Sequence, residues 1–403
     1  MQGVSKHLSR KNLYLFFLLI ILTVSVRQKI FLLQENAGNS LDPDAAYYRQ
    51  IADEMRSPLD TKTREPLFIW FVKGMFLVFG SSDLNLRILT LALSMASLIL
   101  LFVVARSLFN GFVAVFATFL YGTNRWLNLL SVGGLRHELF TIFVLVFVWL
   151  LFRTTRSSVR KSDGPSVNRS SEQPTNRPTD NPILLGLIAG IGLLANLGFY
   201  SFIFPGMIYF GIRRGWHFTR IILPIFLSLV VVSPVLIHNR VLYGDFMYSV
   251  NIHALFYRNI EFVGKPGFPT KEEVADNAFC GPELTMFDYI FRLHSPAQVV
   301  RRSILGFWRI YVGEFTKRIF LSESAVLRLF YLLGIVWLVW LRRFDFLVVF
   351  LLIGAPFCFL AGGAFVWRLV SHIAPFTACI TMVGVLETAK WFLGSSINQT
   401  SPE

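Results

Sequence analysis

The sequence predicts an all-α polytopic membrane protein, a bundle of about ten transmembrane helices, on three observations. The 403 residues are 54% hydrophobic and only 15% charged, with a mean hydropathy of +0.57, whereas soluble domains carry about 25% charged residues. The apolar residues fall in runs that approach the roughly 20 residues a helix needs to cross a bilayer. Lysine and arginine collect in short loops between those runs, which marks the cytoplasmic side of a membrane protein. Backbone polar groups find no water in hydrocarbon, so the runs are helices rather than open strands. The formal charge of +14 is accounted for by these loops and is not read as a nucleic-acid footprint.

The first run, Leu13–Leu33, follows Lys6, Arg10 and Lys11 as a signal peptide would. It has no small-residue cleavage site and carries Arg27 and Lys29 behind its apolar stretch, so it is expected to stay as a span. The loop Gln34–Asp83 comes next and contains "SLDPDAAYYRQIADEM". Asp42 before Pro43 pairs an N-cap with a first-turn proline. Asp44 then lies in the first turn, where negative charge suits the helix dipole. Asp44, Tyr47, Tyr48, Ile51 and Met55 follow a helical stripe, giving a short amphipathic juxtamembrane helix. Both acids thus have a structural reading, starting this helix, and a chemical one, carboxylates at the membrane surface. The step Glu65–Pro66 re-aims the chain into a second amphipathic segment, "PLFIWFVKGMFLVFG".

Spans are expected at Leu84–Leu108, Gly111–Leu130 and Leu139–Phe152, with Arg125 a functional candidate because a cation inside an apolar run is costly. The stretch Arg153–Asn181 is rich in Ser, Asn, Pro and charge and reads as a flexible cytoplasmic linker. Further spans follow at Ile183–Leu197, Tyr200–Ile212 and Ile221–Ile237. The second hydrophilic segment, Asn239–Leu321, contains "SPAQVVRRSILGFWRIYVGEFTKRIF". There Trp308, Tyr311 and Phe315 recur near helical spacing beside Arg301, Arg302, Arg309 and Lys317. That pattern suits a helix in the headgroup layer or one packed on the rest of the external segment. The last spans are Ala325–Leu341, Phe346–Ala361 and Val366–Leu386. The organisation is therefore 1–152 as an N-terminal membrane half bearing the loop 34–83, a linker at 153–181, spans in 182–238, an external segment at 239–321, and closing spans and tail in 322–403. Both termini are expected inside, with the two hydrophilic segments outside the cell membrane. Sequon matches at Asn168 and Asn398 fall on the cytoplasmic side and are read as chance. Cys280, Cys358 and Cys379 have no metal-ligand spacing and suggest no disulfide framework.

The order of these parts resembles the GT-C glycosyltransferases, which take sugars from polyprenyl phosphates, and within them the branch of the protein O-mannosyltransferases and aminoarabinose transferases. The carriers of the resemblance are the loop acid before Tyr and "IA", the basic-Pro step before "PL", and "GGLRHELFTIFVLVFVWLLFR" with its Arg-Glu pair. "LLGLIAGIGLLANLGFYSFIFP", "SPVLIHNRVLYGDFMYS" and "WRLVSHIAPF" continue the pattern. The step at Arg64–Glu65–Pro66 lacks the double proline of the best-known members.

The resemblance implies an inverting transfer with Asp44 as general base and Asp42 as the second choice. Sugar transfer from a lipid phosphate needs a base for the acceptor hydroxyl and fixed cations for the leaving phosphate. Arg64 and then Lys62 are the first phosphate candidates, since a guanidinium fork fits phosphate oxygens. Arg136, Arg240 and Arg368 lie near outer span ends, where arginines also simply snorkel to water. Arg368 and His372 are four apart, on one face of an α-helix; His372 also reads as a hydrogen-bonded buried histidine. Tyr47, Glu65 and Glu138 are candidates for acceptor or sugar contact, with packing and ion pairing as their structural readings. The Asp-Pro-Asp pair has a spacing open to a divalent ion, but no metal or other cofactor is expected. The expected partners are a polyprenyl-phosphate-linked sugar, an extracytoplasmic acceptor and the bilayer. A transporter or flippase is the alternative, against which stand the lack of an internal repeat and the gathering of polar residues at the outer face. A scaffold that keeps the fold without the chemistry is a third reading.

Overall fold

The computed structural model describes residues 10–62, 64–159, 182–214, 218–249, 255–276, 280–281, 284–319, 324–363 and 367–398. Among these the regular elements are all helical. The N-terminal half contains α1 (Arg10–Glu35), α2 (Pro43–Glu54), α3 (Pro66–Phe79), α4 (Asp83–Leu108), α5 (Gly111–Gly122), α6 (Arg125–Ser131) and α7 (His137–Val159). Then come α8 (Pro182–Ala195), α9 (Tyr200–Arg214) and α10 (Phe218–Tyr243). The second hydrophilic segment forms α11 (Leu255–Phe262), α12 (Lys271–Asp276), α13 (Met286–Phe291), α14 (Pro296–Tyr311) and α15 (Glu314–Ile319). The chain closes with α16 (Ala325–Trp340), α17 (Phe344–Gly354), α18 (Cys358–Ala361) and α19 (Ala374–Asn398).

Helix occupies every predicted apolar run. Among the described residues, α1, α4, α10, the stretch Phe344–Ala361 and the stretch Arg368–Gly394 are each long and apolar enough to cross a membrane, while α3, α5, α8 and α16 are apolar but shorter. Three runs are broken where a single helix was expected. Gly111–Leu130 divides at Thr123–Asn124, and the Asn124 side chain caps α6 by accepting from the Leu127 N–H at 2.9 Å. The break frees the Gly122 carbonyl, which accepts from Asn128 Nδ2 at 3.0 Å. Asn128 is held in turn by Gln28 and by Lys29, whose ammonium also bonds Ser25 at 2.8 Å. Lys29 therefore sits inside α1, buried, answering the polar demand of a neighbouring helix break. The run Phe346–Ala361 is interrupted by a 3-10 turn at Ala355–Phe357, and Val366–Leu386 opens as a 3-10 helix, Trp367–Ile373.

Two boundaries also move. Helix α7 continues to Val159, past the expected linker start at Arg153; residues 160–181, with Asn168, lie outside the described residues. The amphipathic run of the second hydrophilic segment is two helices, and α14 shows Val300, Ile304, Phe307 and Trp308 outward while burying Gly306, Ile310 and Tyr311. Tyr311 and Phe315, expected on the same face as Trp308, are core residues, because α14 is docked on the bundle rather than lying free on it.

The loops sort to two ends. At one, Arg106 lies over the Tyr14 ring and Arg343 Nη2 donates to the Leu108 carbonyl at 3.2 Å. At the other, the Asp42–Asp83 loop meets the start of α7, the α8–α9 turn and the Arg368 turn. The C-terminal pair α16 and α19 crosses at two glycines. A Cβ on Gly384 would stand 1.9 Å from the Phe330 carbonyl oxygen, and one on Gly334 would stand 2.0 Å from that of Ile380. Small residues at such a crossing let backbones touch, the main source of helix adhesion where lipid removes the hydrophobic drive. Gly384→Val should therefore lower the thermal unfolding midpoint in detergent, by an overpacking cost of about 1–3 kcal/mol; an unchanged midpoint contradicts the backbone contact.

Candidate active site

The site is built on α2. Asp42 is its N-cap, and its Oδ1 accepts the Asp44 N–H at 3.0 Å. Ala45, Tyr48, Ile51 and Ala52 form the buried stripe, packed with Phe68, Ile69 and Val72 of α3. The Tyr48 ring meets Phe68 edge-on at 5.1 Å. Arg49 pairs with Asp83 at the start of α4, and Ser81 donates to Asp53 at 2.9 Å, so the solvent side of α2 is tied as well. Gly134 takes φ +77° in the turn before α7, and a Cβ there would be 3.1 Å from that of Ala45. Glycine alone lets this turn bring Arg136 under α2.

Three guanidiniums converge on the carboxylates. Arg64 Nη2 donates to Asp44 Oδ1 at 2.7 Å. Arg368 spreads its fork over both acids, Nη1 to Asp42 Oδ2 at 2.9 Å and Nη2 to Asp44 Oδ2. Arg136 binds Glu65, whose other oxygen accepts the Leu197 N–H at 3.2 Å. Glu65 stands at the N-cap of α3 yet makes no cap bond with its side chain, because the carboxylate is used between α7 and the α8–α9 turn. Arg64 lies 5.3 Å from the ring centroids of both Tyr47 and Tyr48, and Arg136 lies 6.0 Å from that of Tyr48. Burial alone pushes the Asp44 carboxyl up, but the nearby charges of Arg64, Arg368 and Arg136, with the Arg64 hydrogen bond, hold it below its ordinary value. Asp44 is thus an ionised acceptor at neutral pH, with its side chain 25% exposed. A small, largely enclosed cavity with room for about one water is lined by Arg64, Glu65, Leu197, Val232, Val235 and Tyr248.

Of the residues singled out in the sequence, Asp42, Asp44, Arg64, Glu65, Arg136, Arg368 and Tyr47 are brought together. Lys62 is close but turned outward, bonding Glu54 at 2.6 Å while its ammonium lies 6.0 Å from the Tyr47 ring. Arg240 is exposed at the end of α10, where it bonds the Gly244 carbonyl and covers Phe246 at 5.6 Å. Glu138 faces the bundle interior and accepts from Ser97 at 2.7 Å and Tyr121 at 3.2 Å. His372 is boxed by Phe140, Phe202 and Phe357. The shared face expected for Arg368 and His372 does not form, because their segment is a 3-10 helix. At about 120° per residue, positions four apart diverge. Exposed Arg125 begins α6, away from the carboxylates. Tyr48 and His137, the latter within electrostatic reach of Asp44 and Arg368, belong to the site and were not singled out. Tyr48 shares the loop motif with Tyr47, and His137 adjoins Arg136 in "LRHEL".

The Glu65–Arg136 pair is deeply buried, with side chains 1% and 8% exposed. Breaking such a pair from one side costs about 3–5 kcal/mol. Glu65→Gln should lower the unfolding midpoint sharply, and Glu65→Gln with Arg136→Met should recover part of the loss; equal loss in both variants contradicts a direct pair.

A family model described as dolichyl-phosphate-mannose-protein mannosyltransferase matches residues 62–162, about a quarter of the chain. A search of curated protein sequences finds no match. The fold matches that of the oligosaccharyltransferase AglB from Archaeoglobus fulgidus in complex with an inhibitory peptide and a dolichol-phosphate, with a TM-score of 0.55 at 16% identity, over 98% of this chain and 53% of that one. It matches ArnT from Cupriavidus metallidurans bound to undecaprenyl phosphate with a TM-score of 0.53 at 14% identity, over 97% and 63% respectively. The apo form of the Archaeoglobus fulgidus oligosaccharyltransferase gives 0.57 at 16% identity, over 98% and 52%. The chain therefore spans between about half and three-fifths of these longer proteins. Its fold is shared with these longer proteins.

Proposed function

We propose that this chain is a GT-C membrane glycosyltransferase that moves a sugar from a polyprenyl phosphate to an extracytoplasmic acceptor, with inversion and with Asp44 as general base. The observation that carries the reading is the ionised Asp44 carboxylate held between Arg64 and Arg368 at one end of the bundle. The dolichol-phosphate with AglB and the undecaprenyl phosphate with ArnT support a lipid-linked donor. The basic loops at the opposite end support a cell-membrane orientation with both termini inside and the site outside. The acceptor is a lipid, a glycan or a protein.

The chemistry follows from the charges. The acceptor hydroxyl gives its proton to an Asp44 oxygen as its oxygen attacks the anomeric carbon. The carbon–oxygen bond to phosphate breaks on the far side, and the phosphate leaves with the electron pair. Guanidiniums of Arg64 and Arg368 take up that charge. The carboxylates of Asp42, Asp44 and Glu65 already balance Arg64, Arg136 and Arg368, so an arriving phosphate must compete for a guanidinium. Arg368 is the one to yield: its side chain is 24% exposed against 5% for Arg64. As Arg368 turns to phosphate, Asp44 loses a cation and becomes more basic when its proton is needed. No metal enters this scheme; the arginines supply the positive charge.

Asp44→Asn keeps the shape of the side chain but leaves Arg64 without its carboxylate. It should therefore lower the unfolding midpoint, by less than Glu65→Gln because Asp44 is 25% exposed. The folded variant should lose about 10²–10⁴-fold in transfer rate; full activity removes Asp44 from the reaction. Because the ligand-free Asp44 is held below its ordinary value of 3.8, kcat/KM, which reports the free enzyme, should be level through neutrality and fall only below about pH 4; a fall of kcat/KM near neutrality contradicts an arginine-paired base. Asp42→Asn keeps an N-cap of equal quality but releases one Arg368 contact. It should bind undecaprenyl phosphate more tightly than the parent in a lipid-nanodisc assay, and weaker binding contradicts the competition.

A further inference from the structure

Helix α14 is stapled to the broken stretch 350–363 along its length. A helix that breaks leaves carbonyls short of intrahelical partners, and here side chains of α14 bond carbonyls on both sides of the break, that of Leu351 accepting the Ala355 N–H as well. The Tyr311 hydroxyl reaches the carbonyls of Leu351 at 2.6 Å and Phe350 at 3.3 Å. Arg309 Nη1 donates to the carbonyls of Ala361 at 2.8 Å and Gly363 at 3.3 Å. Between these points the backbones touch: a Cβ on Gly306 would stand 1.7 Å from the Cys358 carbonyl oxygen, and one on Gly362 would stand 2.0 Å from that of Arg302.

The N-terminal half of α14 is anchored to the rest of its segment too. Arg302 grips Glu261 with both nitrogens and lies 5.5 Å from the Phe359 ring. Glu261 also accepts from Tyr289 at 2.8 Å and pairs with His294 at 2.9 Å. Arg309, whose position in the sequence suggests a headgroup contact, is turned inward instead. Its two carbonyls belong to the turn that precedes the 3-10 helix, and Arg368 is five residues beyond Gly363.

We propose that Arg309 is a positioning residue for Arg368, through which the external segment sets affinity for the donor phosphate. The nature of that ligand rests on the function proposed above; the mechanical link does not. Leu369, next to Arg368, packs against the cluster of Tyr289, Phe359 and Leu360, so the end of α18 that Arg309 holds also sets where the Arg368 fork meets Asp42 and Asp44. A positive charge on two carbonyls at the end of a helix also suits the helix dipole.

The test uses the full chain in nanodiscs with Arg309→Ala, Arg309→Lys and, as a control on the same helix, exposed Arg301→Ala. Two readouts are taken. Hydrogen exchange over 367–373 and 42–48 should quicken at least about tenfold in Arg309→Ala, as expected when hydrogen bonds from a charged donor are lost. It should return towards the parent in Arg309→Lys and stay unchanged in Arg301→Ala. Undecaprenyl phosphate affinity should weaken about tenfold in the alanine variant and recover in the lysine variant, with unfolding midpoints alike. Unchanged exchange in Arg309→Ala overturns the inference, as does faster exchange with parental affinity. A parent chain that binds no undecaprenyl phosphate overturns the donor reading, and the exchange result then decides the positioning role alone.

Discussion

Arg368 joins the last membrane segment to the first hydrophilic loop, more than 320 residues earlier in the chain. Its fork rests on Asp42 and Asp44, and Arg64 closes the same carboxylate from the other side. Charges this close, partly withdrawn from water, interact more strongly than at an open surface. They need one another to be there at all, since an unpaired carboxylate in this position would be costly to bury. The arrangement holds the fold together at one end of the bundle and also leaves a reactive oxygen in place. Structure and chemistry draw on the same charges, so a ligand that takes one of them changes both.

The bilayer imposes a second constraint that explains much of the remaining polar architecture. A helix that stops inside the bundle exposes carbonyls, and two of the described breaks are met by side chains from neighbouring helices. Asn128, held by Lys29 and Gln28, answers the break after Gly122. Tyr311 and Arg309 answer the break around Ala355–Phe357 and the end of α18. Such breaks are tolerated because these partners exist. They also put irregular backbone where it can turn: the 3-10 stretch Trp367–Ile373 aims Arg368 at the loop and sends His372 into an aromatic box.

Much of this was legible in the sequence because hydrophobic runs report helices directly. The start of α2 was written in Asp42–Pro43, and its buried face in the spacing of Tyr48 and Ile51. The breaks were less legible. The turn signal in "GTNRW" lay within an apolar run, and run length outweighed it; nothing in "VWRLVSHIAPF" distinguishes a 3-10 start from an α-helical one. Pairing was the least legible. Glu65 and Arg136 are 71 residues apart, and each has a charged neighbour in sequence that offered a nearer but wrong partner. Arg302 and Arg309 looked like a basic flank because amphipathicity shows which residues are polar, not which way they are used. What composition cannot convey is long-range complementarity, and the site consists of it.

The central claim is that a lipid phosphate and the loop carboxylates compete for the same guanidinium. The most direct measurement is a pair of cryo-electron microscopy maps of the full chain in nanodiscs, with and without undecaprenyl phosphate. The prediction is a phosphate between Arg64 and Arg368, with the Arg368 fork withdrawn from Asp42 and Asp44 and the loop helix otherwise in place. A phosphate bound elsewhere, with Arg368 still bridging both aspartates, would contradict it.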